Sequence, residues 1–145
     1  MDDEEFCLTG LKAILQSIGV DVDNMVDICM SGDEALQCIK NAASLGICHK
    51  LIITDIQMPG TNGIEMTKQV RQIFNSESLK AKSSSSASFN SSQKSQNKPF
   101  IVGVSGHVQN CFITEALQAG MDMFESKPLY VDRLRKILQM TDYQV

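Results

Sequence analysis

The stretch Lys50–Val70, KLIITDIQMPGTNGIEMTKQV, decides the fold. Leu51, Ile52, Ile53 and Thr54 run straight into Asp55, and Met58-Pro59 and a Gly-Thr-Asn-Gly turn follow. A short apolar run rich in β-branched residues and bounded by a turn reads as a buried strand of a parallel sheet. A carboxylate at the C-terminal end of such a strand faces the crevice where open α/β sheets bind ligands. Asp is also common as a turn cap, so this stretch alone leaves Asp55 either a cap or a site.

Outward from that strand, the pattern alternates. Glu5–Ile18 sets Phe6, Leu8, Leu11, Ile14, Leu15 and Ile18 at helical spacing and stops at Gly19. Met25–Met30 reads as a short edge-like strand, and Asp33–Ala43 as a second helix. A third helix starts near Asn62 or Gly63 and runs to about Phe74. Pro99–Gly106 is a second buried strand ending at Ser105. A fourth helix spans Val108–Ala119, a last strand Met121–Ser126, and a fifth helix about Leu129–Met140. Alternation of this kind implies right-handed crossovers and a parallel sheet. The stretch at about 76–98 is different, with many serines and few apolar residues. Such a segment buries too little surface to offset its ordering entropy, so it reads as a disordered insert within one domain spanning 1–145.

Composition narrows the function. With 145 residues a single domain is expected, and a net charge of −4 offers no basic footprint for nucleic acid. No apolar run approaches the roughly 20 residues of a membrane helix. The acidic start MDDEEF is the opposite of a secretion signal. Five cysteines without a CxxC pair suggest reduced thiols and a cytoplasmic protein. The acids at Asp2, Asp3, Glu4 and Glu5 can be read simply as complements to the dipole of the first helix. For Asp55 the balance shifts once Ser105 and Lys127 are counted. Both stand at strand ends on the same edge, so a carboxylate, a hydroxyl and an ammonium converge there.

These residues resemble the receiver domain of two-component response regulators. The match joins Asp2-Asp3, the run Asp55-Ile-Gln-Met58-Pro59-Gly-Thr-Asn-Gly63, Val104-Ser105-Gly106 and Phe124-Glu-Ser-Lys127-Pro128. The variant Gly103-Val-Ser-Gly-His107 and the acidic run are similar to receivers of hybrid histidine kinases. The resemblance implies a flavodoxin-like, three-layer, doubly wound parallel sheet of order 2-1-3-4-5. It implies Asp55 as phosphoacceptor, and Asp2, Asp3, Asp55 and the Gln57 backbone carbonyl as ligands of Mg²⁺. Ser105 becomes the switch hydroxyl, Lys127 the partner of the phosphoryl group before a cis-proline, and Phe124 the aromatic switch. The implied donor is a phosphohistidine on a histidine kinase or a histidine-phosphotransfer protein. The implied output is a changed surface around the fourth helix and the last strand. No separate substrate is turned over, and neither nucleic acid nor membrane is contacted.

The chemistry suits these residue types. A carboxylate is a workable nucleophile towards phosphorus once the donor's charge is neutralised, and Mg²⁺ with Lys127 supplies that neutralisation. One feature departs from the family. Its acidic pair closes the first, central strand, whereas here Met1 stands where that strand should end. The expectation is a sheet lacking strand one, with Asp2 and Asp3 on a frayed terminus, weak metal binding and poor stability. The alternative function is then a truncated or degenerate receiver acting only as an interaction module. A flavin-binding enzyme on the same fold is disfavoured, because Asp2-Asp3-Glu4-Glu5 would repel phosphate.

Overall fold

A computed structural model describes residues 1–83, 98–107 and 110–143, with side chains described except over 77–83. The elements in order are α1 (Glu5–Ser17), α2 (Val22–Met25), α3 (Gly32–Ser44), β1 (Leu51–Asp55), α4 (Gly63–Ser83), β2 (Phe100–Ser105), α5 (Asn110–Ala119), β3 (Met123–Ser126) and α6 (Val131–Met140). The three strands form one parallel sheet in the order β1-β2-β3. Asp55 lies opposite Val104, and Ser105 opposite Ser126. The strand ends that carry Asp55 and Ser105, and the residue after β3, Lys127, therefore meet at one edge.

Alternation along β1 feeds two cores. Ile52 packs with Leu36, Ile39, Ile64, Val70 and Ile101 on the face covered by α3, α4 and α5. Leu51 and Ile53 pack with Leu15, Ile18, Leu134 and Leu138 on the face covered by α1 and α6. This is the three-layer flavodoxin-like arrangement, with period two in the strand dividing the layers.

Four expectations are corrected. Met25–Met30 is not a strand: α2 takes Met25, and the following residues pair with no strand. A strand exists only through its neighbours, and the backbone bond made to this segment across the sheet edge is Asp2 N–H to the Cys29 carbonyl, 3.3 Å. The terminus is not frayed. The Met1 amine donates to the Ile53 carbonyl at 2.7 Å, and the Asp55 N–H donates to the Met1 carbonyl at 2.9 Å. Met1 thus forms one parallel rung on the edge of β1 away from β2, the place the family gives to its first strand. Third, α4 continues past Phe74 to Ser83, into the region read as disordered insert. Glu77, Leu79, Lys80, Ala81 and Lys82 are good helix formers, and the serines around them masked that. The remainder of the serine-rich stretch lies outside the described residues. Finally, Phe6 does not join the core of α1. It is 88% exposed.

Candidate functional site

Asp55 sits at the last position of β1 and is buried. The turn after it is shaped to keep it there. The Gln57 N–H donates to Asp55 Oδ1 at 3.0 Å, and Thr54 Oγ1 donates to the Asp55 carbonyl at 2.8 Å. At the start of α4, Gly63 passes so close that a Cβ there would collide with that same carbonyl. Only glycine permits this approach. Gly60, with φ of +72°, supplies the turn between them. Thr61 Oγ1 donates to Asp33 Oδ1 at 2.7 Å, fastening the loop to the first turn of α3.

Lys127 reaches the site from the end of β3. Its backbone N–H donates to the Ser105 carbonyl at 2.9 Å, and its peptide bond to Pro128 is cis, as the resemblance implies. Nζ lies 2.6 Å from Asp55 Oδ2 and 2.7 Å from Asp2 Oδ2. One ammonium therefore bridges two carboxylates. Burial alone would lower its pKa. The hydrogen bonds to Asp2 and Asp55, and their charges, outweigh that and hold Lys127 well above the usual lysine value. It is a cation at any ordinary pH.

Asp2 is buried, and its Oδ1 accepts the Glu4 N–H at 3.1 Å. Asp3 is exposed. Asp2, Asp3 and Asp55 can each offer one carboxylate oxygen such that all three lie within 4.8 Å of one another. An all-oxygen, triply anionic set of this span suits a hard divalent cation rather than a thiophilic one. Asp2 also groups with Glu4 and Cys7, but that set shares Asp2 and includes the exposed Glu4. Ser105 is almost fully buried, and its Oγ accepts the His107 N–H at 3.1 Å. Phe124, opposite Gly103 on β2, is partly buried against the α3–α5 core. Asp2, Asp3, Asp55 and Lys127 thus come together, while Ser105 joins them through its carbonyl's bond to the Lys127 N–H and Phe124 packs against the core.

Sequence reasoning missed the supports. Arg71, buried on α4, donates to the Gly120 carbonyl (2.8 Å), the Pro99 carbonyl (2.8 Å) and Asp122 (2.6 Å). It ties α4 to the far ends of β2 and β3. A lone arginine between the core positions Val70, Ile73 and Phe74 was the available signal.

A buried strand-end carboxylate, a bridging lysine and a neighbouring acidic pair on a flavodoxin-like sheet define a receiver of the two-component type. The family model described as the response regulator receiver domain matches residues 1–82, and the chain belongs to that family. The chain is 26% identical over 128 residues to the osmosensing histidine protein kinase SLN1 of Saccharomyces cerevisiae, covering 88% of this chain and 8% of that protein. It is 27% identical over 139 residues to hybrid signal transduction histidine kinase L of Dictyostelium discoideum, covering 96% of this chain and 7% of that protein. The chain thus spans less than a tenth of these two relatives. Among solved structures, it resembles the receiver domain of the Arabidopsis thaliana histidine kinase CKI1, complexed with Mg²⁺. That match has a TM-score of 0.70 at 25% identity, over 96% of this chain and 86% of the other. The Vibrio cholerae chemotaxis protein CheY4 shares the fold, with a TM-score of 0.66 at 22% identity over 97% of this chain and 92% of the other. Among the described residues, no helix is long and apolar enough to cross a membrane.

Proposed function

We propose that Asp55 accepts a phosphoryl group from a phosphohistidine on a histidine kinase or histidine-phosphotransfer protein. The observation that carries this reading is the bridge from Lys127 to Asp55 and Asp2, 2.6 and 2.7 Å long, beside a third carboxylate. Asp2, Asp3, Asp55 and the Gln57 backbone carbonyl would hold Mg²⁺. Bound there, the ion supplies neutralisation of the donor's phosphoryl oxygens, which is the main demand of phosphoryl transfer.

The chain's own residues do the rest. An Asp55 carboxylate oxygen forms the new bond to phosphorus while the P–N bond to the donor imidazole breaks and that nitrogen takes a proton. Lys127 is already charged and poised on Asp55 Oδ2, so it turns to a phosphoryl oxygen without changing protonation. Ser105 keeps its own hydroxyl proton and donates it to another phosphoryl oxygen. That move draws the backbone near His107 inward and opens room for Phe124, shifting the surface of α5 and β3. The module turns over no separate substrate.

Labelling with a small acyl phosphate in Mg²⁺ tests the reading. Asp55-dependent label, lost in Asp55→Asn and on chelation, is the expected outcome. No label in the folded wild-type chain would leave the interaction-module alternative standing.

A further inference from the structure

Cys29 and Cys38 face one another, with Cys29 Sγ donating to Cys38 Sγ at 3.8 Å. They lie nine positions apart, Cys29 in the link between α2 and α3 and Cys38 within α3. Cys29 is buried, Cys38 partly exposed, and both are free thiols. Among the described residues, the link that carries Cys29 has no strand beside it, yet the Cys29 carbonyl receives the Asp2 N–H at 3.3 Å. We propose that Cys29 and Cys38 form a reversible dithiol–disulfide site for small-molecule disulfides, whose oxidation fastens the segment that positions Asp2 to α3.

The geometry sets the order of events. The Cys38 thiolate, being the accessible sulfur, attacks one sulfur of the small disulfide, and the S–S bond breaks to expel one thiolate. Cys29 then gives its proton to solvent and attacks the Cys38 sulfur, expelling the second thiolate. The net change is two protein thiols plus one small disulfide to one protein disulfide plus two small thiols. The sulfurs close from 3.8 Å to about 2 Å. Glu34 Oε2 accepts the Met30 N–H at 2.7 Å, so the link is already held to the first turn of α3 beside the new bond. This site does not depend on phosphorylation of Asp55.

The test uses the full chain with oxidised glutathione, followed by digestion without reduction and mass mapping of linked peptides. The native chain should give a Cys29–Cys38 link as its main product, reversed by a dithiol reductant. Cys29→Ala should stop at a glutathione adduct on Cys38, and Cys38→Ala should leave Cys29 unmodified. The same reaction in urea controls for variants that fold poorly, because the native wild-type chain must favour the Cys29–Cys38 link over the unfolded one. A native product spread over the five thiols as in urea overturns the proposal. So does a lasting adduct on wild-type Cys38.

Discussion

Asp55 and Asp2 give equivalent carboxylate contacts to Lys127, but the backbone beneath them is held very differently. Asp55 ends a strand paired along its length with β2, and its turn is locked by Gln57, Thr54 and Gly63. Asp2 follows Met1 directly, and the backbone bonds that hold this pair link Met1 with Ile53 and Asp55 and Asp2 with Cys29. The proposed nucleophile ends a strand of the core, and half of the proposed cation site belongs to a segment pinned by a few bonds. Local opening costs less where few backbone bonds resist it, so although Met1 packs against the α3–α5 core, the acidic pair is expected to be the first part of the site to loosen. Cation binding should therefore be the weak step, and the strand-end triad of Asp55, Ser105 and Lys127 the durable one.

Gly63→Ala attacks the rigid side. The added methyl meets the Asp55 carbonyl and should cost about 3 kcal/mol, read by urea denaturation, with Asp55 labelling lost as well. A variant within experimental error of wild type would show that the turn yields. Lys127→Met comes next. It strips the cation from two buried carboxylates and should cost about 2 kcal/mol, the low side for a broken buried pair because Lys127 is partly exposed. Mg²⁺ should then raise the melting temperature of this variant more than that of wild type, since it replaces the lost charge.

Asp2→Ala probes the pinned side. Stability should fall by under about 1 kcal/mol, while the Mg²⁺ dissociation constant measured by titration calorimetry rises about tenfold, equivalent to roughly 1.4 kcal/mol. A large loss of stability would mean that the N-terminal segment is integral to the core. The smallest effect is on pH. Burial, followed by the hydrogen bond and charge of Cys38, pushes the Cys29 thiol up to about 12 from 9.0, and Lys127 is raised too. A folded state that keeps protons the unfolded chain releases is favoured fully below the unfolded values and loses that advantage as pH rises through the folded ones. Stability in reducing buffer should thus decline between about pH 9 and 12, and Cys29→Ala should flatten the early part of that decline.

What could be read from the chain follows the same division. β1 and β2 were legible because buried parallel strands announce themselves as apolar runs, and Asp55 and Ser105 because each ends such a run; β3, with Glu125 and Ser126 after Met123 and Phe124, carries no such run, and Lys127 follows it. The segment Met25–Met30 carried an equally strand-like pattern, but pairing depends on what lies alongside, which no local pattern records. The docking of Met1 was illegible for the same reason: it rests on carbonyl and N–H groups of Ile53, Asp55 and Cys29, which any residue types would provide. The extension of α4 to Ser83 was hidden by serines, and the facing of Cys29 and Cys38 by a fold-dependent turn between α2 and α3. Arg71 shows a further limit, since its partners include two main-chain carbonyls distant in sequence.

The proposed cation site requires that Asp2 and Asp3, held by these few bonds, stay close enough to Asp55 to share an ion. Thermal melting of the chain with and without Mg²⁺ and beryllofluoride, beside Asp55→Asn, tests it directly. The expected result is a low melting temperature for the metal-free chain, a clear rise when both are added, and no such rise in Asp55→Asn, as for ligands that bind only the folded site. A wild-type chain that melts at the same temperature with and without them would contradict it.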